Sequence, residues 1–196
     1  MKKTITMMVL LCVVAFAQEK GTFTDPRDKK TYKTVKIGKQ TWMAENLNFN
    51  AEGSKCYNNE EENCQKYGRL YNWNTAMKVC PKGWHLPSKD EWQTLVDFAG
   101  GNEIAGKKLK TSSGWKEVDK EMNNGDDTFG FAALPGGGCY SSGNFVYVEN
   151  RGNWWSATKY YTDDAYSWLM YSYKENFYPD DYDKYKILFS VRCLQN

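Results

Sequence analysis

A single histidine, three aspartate clusters and the five cysteines beyond Cys12 are the residues in this chain that could do chemistry. His85 stands between Trp84 and Leu86. An imidazole works as a general base only with a nucleophile to deprotonate and a third group to orient it. Neither occurs at a recognisable spacing, so a structural hydrogen-bonding role is expected. Asp126-Asp127, Asp163-Asp164 and Asp180-Asp181 with Asp183 form the acidic clusters. Paired carboxylates can cleave glycosidic bonds or ligate calcium through oxygen. These clusters sit among turn residues, where aspartate accepts from nearby backbone N–H groups, and none fits an EF-hand loop. Turn capping is therefore expected. Asp126 and Asp127 are the pair that would hold a structural calcium ion, were one bound. No other cofactor and no catalytic residue is implied, so the chain is not expected to be an enzyme.

Aromatic side chains are the compositional extreme: 8 Trp, 14 Tyr and 9 Phe. Ten of them fall between Tyr160 and Tyr185. Flat rings with polar tips suit sugar faces and protein partners, since they bring contact area with few rotamers. Trp42, Trp73, Trp84, Trp92 and Trp155 lie in strand or helix contexts and are expected in the core. Tyr160, Tyr161, Tyr178, Tyr182 and Tyr185 are the candidate ligand-binding residues, the last three in an expected loop around Tyr178-Pro179-Asp180-Asp181. The ligand implied is a polysaccharide or a surface protein.

The N-terminus bounds the compartment. Lys2 and Lys3 precede an apolar core over residues 5–16, and Ala15-Phe16-Ala17 ends it. This reads as a secretory signal peptide over residues 1–17, too short to span a membrane. Cys12 raises a lipoprotein anchor as the rival, but Leu11 is bulky where such a signal needs a small residue. No other segment reads as transmembrane. The 26 basic side chains include Lys2 and Lys3; without them 24 basic face 24 acidic groups. A neutral surface argues against nucleic acid, whose binding depends on neutralising phosphates.

In an exported chain, cysteines are read as disulfides before metal ligands. Cys56 and Cys64 bracket the polar loop Y-N-N-E-E-E-N and are paired locally. Cys80 opens C-P-K-G-W-H-L-P-S-K-D-E-W and Cys193 closes S-V-R-C, tying the end of the domain to an early helix. Cys139, in P-G-G-G-C-Y, is left over, with exposure expected from its glycine and serine neighbours.

The elements that must position these residues follow from local pattern. Residues 18–24 read as a polar leader, and residues 31–43 as a hairpin turning at Gly38-Lys39. Residues 46–67 read as a loop, 69–72 as extended and 73–79 as one or two helical turns. Ser88-Lys89-Asp90-Glu91 is a capping box. Trp92, Leu95, Val96 and Ala99 follow it with helical spacing, and Gly100-Gly101 stops the helix. Residues 104–109 add a further turn. Short strands are expected over residues 129–134, 144–148, 154–158, 165–173 and 187–192. The class is α+β: two or three short helices in the first half, then a loop-rich antiparallel sheet, stapled by disulfides.

T-V-K-I-G-K-Q-T-W-M-A-E-N-L, Y-G-R-L-Y-N-W, C-P-K-G-W-H-L-P-S-K-D-E-W, G-D-D-T-F-G-F-A-A-L-P-G-G, N-W-W-S-A-T and S-V-R-C resemble, in this order, the Fibrobacter succinogenes major paralogous domain. The resemblance covers residues 25–193 and implies one exported domain, here bounded as 25–196. A wider resemblance links Ala76, Cys80, His85-Leu86, Glu91 and Cys193 to the C-type-lectin-like fold, shared with formylglycine-generating enzymes, and independently favours the Cys80–Cys193 bridge. The E-P-N, Q-P-D and W-N-D calcium–sugar signatures of those lectins are missing, as is a late cysteine pair, so neither activity is carried over. The expected function is an exported, non-catalytic cell-surface binding domain; a formylglycine-generating-type enzyme and a structural envelope component are the alternatives.

Overall fold

The computed structural model describes residues 18–117 and 124–196. The expected signal peptide, residues 1–17, lies outside the described residues. The hairpin forms as expected: β2 (Thr31–Ile37) pairs antiparallel with β3 (Gln40–Met43). Gly38 turns it with φ +60°, a region glycine enters without steric cost. Along β2, Tyr32, Thr34, Val35 and Ile37 are buried while Lys33 and Lys36 face solvent. The expected polar leader is instead a strand. β1 (Lys20–Thr24) adds to the outer edge of β2, with Lys20 opposite Val35. It reads as a leader because an edge strand held by backbone pairing needs few apolar residues, and most of β1 is exposed. β5 (Trp84–His85) and β12 (Leu194–Gln195) complete a five-stranded sheet in the order β1-β2-β3-β12-β5.

Four short α-helices occur among the described residues: α1 (Glu61–Tyr67), α2 (Trp73–Val79), α3 (Lys89–Phe98) and α4 (Ala105–Leu109). The first falls in residues 46–67, expected to be loop. Its acidic first turn (Glu61, Glu62) and basic last turn (Lys66) complement the helix dipole. The Cys56–Cys64 bridge holds it from within. The second bridge joins Cys80 to Cys193.

The α3 capping box is present in both directions. Glu91 N–H donates to Ser88 Oγ at 3.2 Å, and Ser88 N–H donates to Glu91 Oε2 at 2.7 Å. His85 Nε2 lies 2.9 Å from the other Glu91 oxygen, and its Nδ1 lies 2.7 Å from Asn196 Oδ1. Burial alone would raise the Glu91 carboxyl. The Ser88 N–H and hydroxyl and the His85 ring outweigh it and hold the group below its ordinary value. A depressed carboxyl stabilises the fold above its unfolded pKa, about 4.3, and that contribution is lost as pH falls through the folded value. Acid titration followed by circular dichroism should therefore show the parent losing stability more steeply than Glu91→Gln below about pH 4.3; parallel curves would remove Glu91 from the linkage. At neutral pH, Ser88→Ala should cost about 0.5–2 kcal/mol.

Trp92, Leu95, Val96 and Ala99 are fully buried on the α3 stripe. The Trp92 ring lies 4.7 Å from Trp42, 6.3 Å from Trp168 and 5.7 Å from Phe177. Trp154, Trp168 and Met170 bring one face of the second sheet to this cluster.

That sheet has seven strands. β10 (Tyr178–Asp183), β9 (Asp164–Tyr171), β8 (Arg151–Lys159), β11 (Ile187–Ser190), β6 (Gly138–Tyr140) and β7 (Phe145–Val146) lie in this spatial order, and β4 (Leu70–Tyr71) pairs with β11. All these pairings are antiparallel except β8 with β11. The second face packs Trp155, Ala165 and Phe189 on Tyr71, Trp73 and Ala76. Trp155 Nε1 donates to Tyr71 O at 2.7 Å and Trp73 Nε1 to Ser156 O at 2.8 Å. The first of these bonds ties β8 to β4, and the second ties α2 to β8.

Two late segments differ from expectation. Tyr178-Pro179-Asp180-Asp181, expected as loop, is the edge strand β10, with Pro179 opposite Trp168. Proline lacks a donor but is tolerated on an edge strand. Residues 129–134, expected as a strand, run irregularly apart from one bridge between Ala133 and Lys110. Asp127 and Ala132 take positive φ there, which breaks a regular ladder. Among the described residues no helix is long and apolar enough to cross a membrane.

Candidate functional site

Directly paired residues on antiparallel strands point to one face. Arg151 is opposite Tyr171, Asn153 opposite Leu169, and Trp155 opposite Ser167. Leu169 is in turn opposite Tyr178, Ser167 opposite Asp180, and Ala165 opposite Tyr182. The same face therefore carries Trp155 and Tyr182 at one end and Arg151, Tyr171 and Tyr178 at the other. The first end is core: the rings of Trp155 and Tyr182 each lie 4.9 Å from Phe189. The second end opens to solvent.

There the Arg151 guanidinium lies 3.8 Å from the Tyr147 ring centroid and 4.7 Å from that of Tyr171. Tyr171 continues the array to Tyr173 at 5.2 Å and Tyr178 at 6.3 Å. Lys174 lies 5.3 Å from Tyr171 and 5.7 Å from Tyr173. Burial and the neighbouring Tyr147 phenol raise the pKa of Tyr140, on β6. Tyr147 is 39% and Tyr173 52% exposed. These rings form one contiguous tyrosine–arginine surface.

Local backbone sets this geometry. Tyr147 and Glu149 take φ of +67° and +65°, conformations a non-glycine residue adopts only when its surroundings impose them. The N–H groups of Asn150 and Arg151 both donate to Tyr147 O, folding Tyr147 back over the start of β8. Gly137 allows the approach: a Cβ there would lie 2.3 Å from Val146 O. After β9, buried Lys110 donates to the carbonyls of Tyr171, Ser172 and Lys174 at 2.6, 3.2 and 2.6 Å. It thereby fixes the turn that presents Tyr173 and Lys174. Burial and the neighbouring Tyr171 phenol push the Tyr178 phenol well above its ordinary pKa. Burial, with Asp180 nearby, pushes Tyr182 up to about 12. Both phenols stay neutral at physiological pH and keep their donors. Beneath the surface, Asn153 Nδ2 and Ser167 Oγ are buried without a hydrogen-bond partner.

The five tyrosines singled out from sequence do not form one surface. Tyr178 belongs to the array. Tyr182 turns inward onto Phe189 because β10 is a strand and its side chains share the sheet's faces. Tyr185 projects from the turn after β10, 57% exposed, over Lys184. Tyr160 packs on Tyr161 at 4.4 Å and on Tyr166 at 5.0 Å. Tyr166 is paired with Asp181, one residue out of step with Tyr178 and Tyr182, and so lies on the opposite face. Sequence reasoning missed Tyr140, Tyr147 and Arg151, which come from a glycine-rich stretch with no periodic signal. Tyr171 and Tyr173 carried one, their spacing of two.

Asp127 accepts from Ala132 N at 2.8 Å through Oδ1. Burial raises its carboxyl above the ordinary value. Its role is to cap the irregular turn. Asp126 is exposed, and among the described residues no third carboxylate, histidine or thiol joins the two closely enough to share an ion. The close grouping that does occur, Cys56, Glu61 and Cys64, has both sulfurs in a disulfide. Asp127 also edges a cleft of about 660 Å³, with Tyr32, Lys33, Glu45, Asn46 and Lys66. Cys139, expected at the surface, is a buried free thiol packed with Tyr57, Leu70 and Leu188. Burial raises its pKa, which suppresses the reactive thiolate.

No curated protein and no solved structure matches the chain. The model of the Fibrobacter succinogenes major domain matches residues 35–195. That span takes in both disulfides, the α3 capping box and every residue of the tyrosine–arginine surface, and the chain belongs to this family.

Proposed function

We propose that this is an exported, non-catalytic domain that binds a polysaccharide at the cell surface, through Tyr147, Arg151, Tyr171, Tyr173 and Tyr178. The observation that carries the reading is the contiguity of those rings on one open sheet end. Phenol rings stack on the apolar faces of sugars, and their hydroxyls reach sugar hydroxyls at low entropic cost. Two disulfides, including one that closes the domain, favour an oxidising compartment and so support export. The lone histidine is held between Glu91 and Asn196 rather than beside a nucleophile, which favours binding over catalysis.

The test is a glycan array with the purified mature domain, followed by affinity electrophoresis on the glycans retained. Tyr171→Ala should weaken binding by about 1–3 kcal/mol, by analogy with bases stacked on aromatic rings. Its stability should change far less than a core truncation would cause, since the ring is on the surface. An array with no retained glycan, and a surface protein recovered by pull-down instead, would overturn the polysaccharide reading.

A further inference from the structure

The chain has four arginines, and three of them make side-chain hydrogen bonds within the fold. Arg27 forms a bidentate pair with Asp25, with contacts from 2.6 to 3.1 Å. Arg69 reaches Glu61 at 3.3 Å. Arg192 is enclosed by the oxygens of Asn46, Met43, Phe131 and Ala132. Arg151 differs. Among the described residues no carboxylate lies within ion-pair distance of it, and its side chain donates no hydrogen bond to the protein. Yet it is held in place, half-buried, with Tyr147 and Tyr171 packed against it. Lys174, over Tyr171 and Tyr173, likewise has no ion pair among the described residues.

We infer that the polysaccharide bound by this surface is acidic, its carboxylate or sulfate groups received by Arg151 and assisted by Lys174. The inference rests on the proposed binding role of the same surface. A guanidinium offers five N–H donors in a rigid fork that matches the paired oxygens of an oxyanion. Two tyrosine rings hold the fork's orientation before a ligand arrives and leave its N–H edge for the anion, while the neighbouring rings lie where adjoining sugars would stack. Weak hydration and a planar shape let a guanidinium stack on aromatic faces more readily than a strongly hydrated lysine ammonium. Asp180 is the carboxylate that shares this face, and it stands two same-face positions along the sheet from the Arg151–Tyr171 row. Anion preference is thus concentrated at the Arg151 end.

Binding is measured by affinity electrophoresis and calorimetry at about 0.15 M salt, where long-range attraction between exposed charges is screened. The probes are polygalacturonate against its carboxyl-reduced form, and dextran sulfate against dextran. The acidic member of at least one pair should bind at least about tenfold more tightly than its neutral parent, the size of one charge-assisted hydrogen bond. Which pair responds identifies the acid group. Arg151→Gln should abolish that preference, Arg151→Lys should restore only part of it, and Lys82→Gln, on a distant exposed turn, should leave it intact. Neutral parents bound as tightly as acidic forms would overturn the inference and leave the binding role standing. Equal losses in Arg151→Gln and Lys82→Gln would assign the preference to diffuse charge and overturn it too. Binding to no glycan in either set or on the array would overturn the binding role with it. Thermal melting confirms that each variant is folded before its affinity is read.

Discussion

An Arg192→Met protein should lose on the order of 5 kcal/mol of folding stability, a large share of what a single domain has. Arg192 is completely buried. Its Nη2 donates to Asn46 Oδ1 at 2.7 Å and to Ala132 O at 3.3 Å; Nε donates to the same Asn46 oxygen at 3.1 Å. Nη1 donates to Met43 O at 3.3 Å and to Phe131 O. The guanidinium also lies 4.5 Å from the Phe131 ring. Burial pulls its pKa down to about 9, with Glu45 and Asp127 acting the other way, so it remains charged at neutral pH. Methionine would fill much of the volume but leave the carbonyls of Met43, Phe131 and Ala132 without their donor. A buried acceptor left unpaired costs about 1–3 kcal/mol. Asn46 Oδ1 would keep one bond, from Trp154 Nε1 at 2.8 Å. The arginine therefore joins the first sheet, through Met43, to the irregular segment at residues 131–132 and, through Asn46 and Trp154, to the second sheet. Arg192→Lys should recover only a part, because one ammonium cannot span acceptors arranged around a planar fork. Guanidinium titration decides it: a Met variant within about 1 kcal/mol of the parent would mean that water replaces the lost donors.

The sequence marks Arg192 only as a letter in S-V-R-C; its cage of oxygens comes from two distant segments, residues 43–46 and 131–132, and has no local pattern. The same contrast runs through the molecule. The α3 helix is legible because its cap, its apolar stripe and its glycine stop are all within fourteen residues. The hairpin is legible because its turn and its alternation are local, and both disulfides are legible because reading the chain as exported puts disulfides before metal ligands, with the wider fold resemblance favouring Cys80–Cys193. β1 and β10 are not, because a polar edge strand is defined by the neighbour it pairs with, not by its own composition. The tyrosine–arginine surface is illegible for a related reason. Its members come from β6, the loop before β8, and the ends of β8, β9 and β10, and only the register of the sheet brings them to one face. Counting tyrosines in the late segment found the right region but mixed the two faces of the sheet, since it could not see that residues 178–183 form a strand.

Removing the long disulfide should destabilise the domain more than removing the short one. Cys80 and Cys193 are separated by 113 residues, Cys56 and Cys64 by 8. A cross-link acts chiefly by restricting the unfolded chain, and the restriction grows with the loop it closes. In that account the long bridge contributes about 4–5 kcal/mol and the short one about 2–3 kcal/mol. The native contacts reinforce the order. Cys193 directly follows Arg192 and precedes β12, whose Leu194 is paired with Trp42 on one side and His85 on the other. Releasing it from Cys80 frees the strand that closes the first sheet and loosens the segment that carries the buried guanidinium. The short bridge holds only α1 against the turn before it. Cys80→Ser and Cys56→Ser are compared by denaturant midpoint, each with and without reductant. The expected result is the larger loss for Cys80→Ser, with reductant bringing the parent below both variants. Equal losses would mean that native-state strain or residual structure in the unfolded chain, rather than loop length, sets the contribution of each bridge.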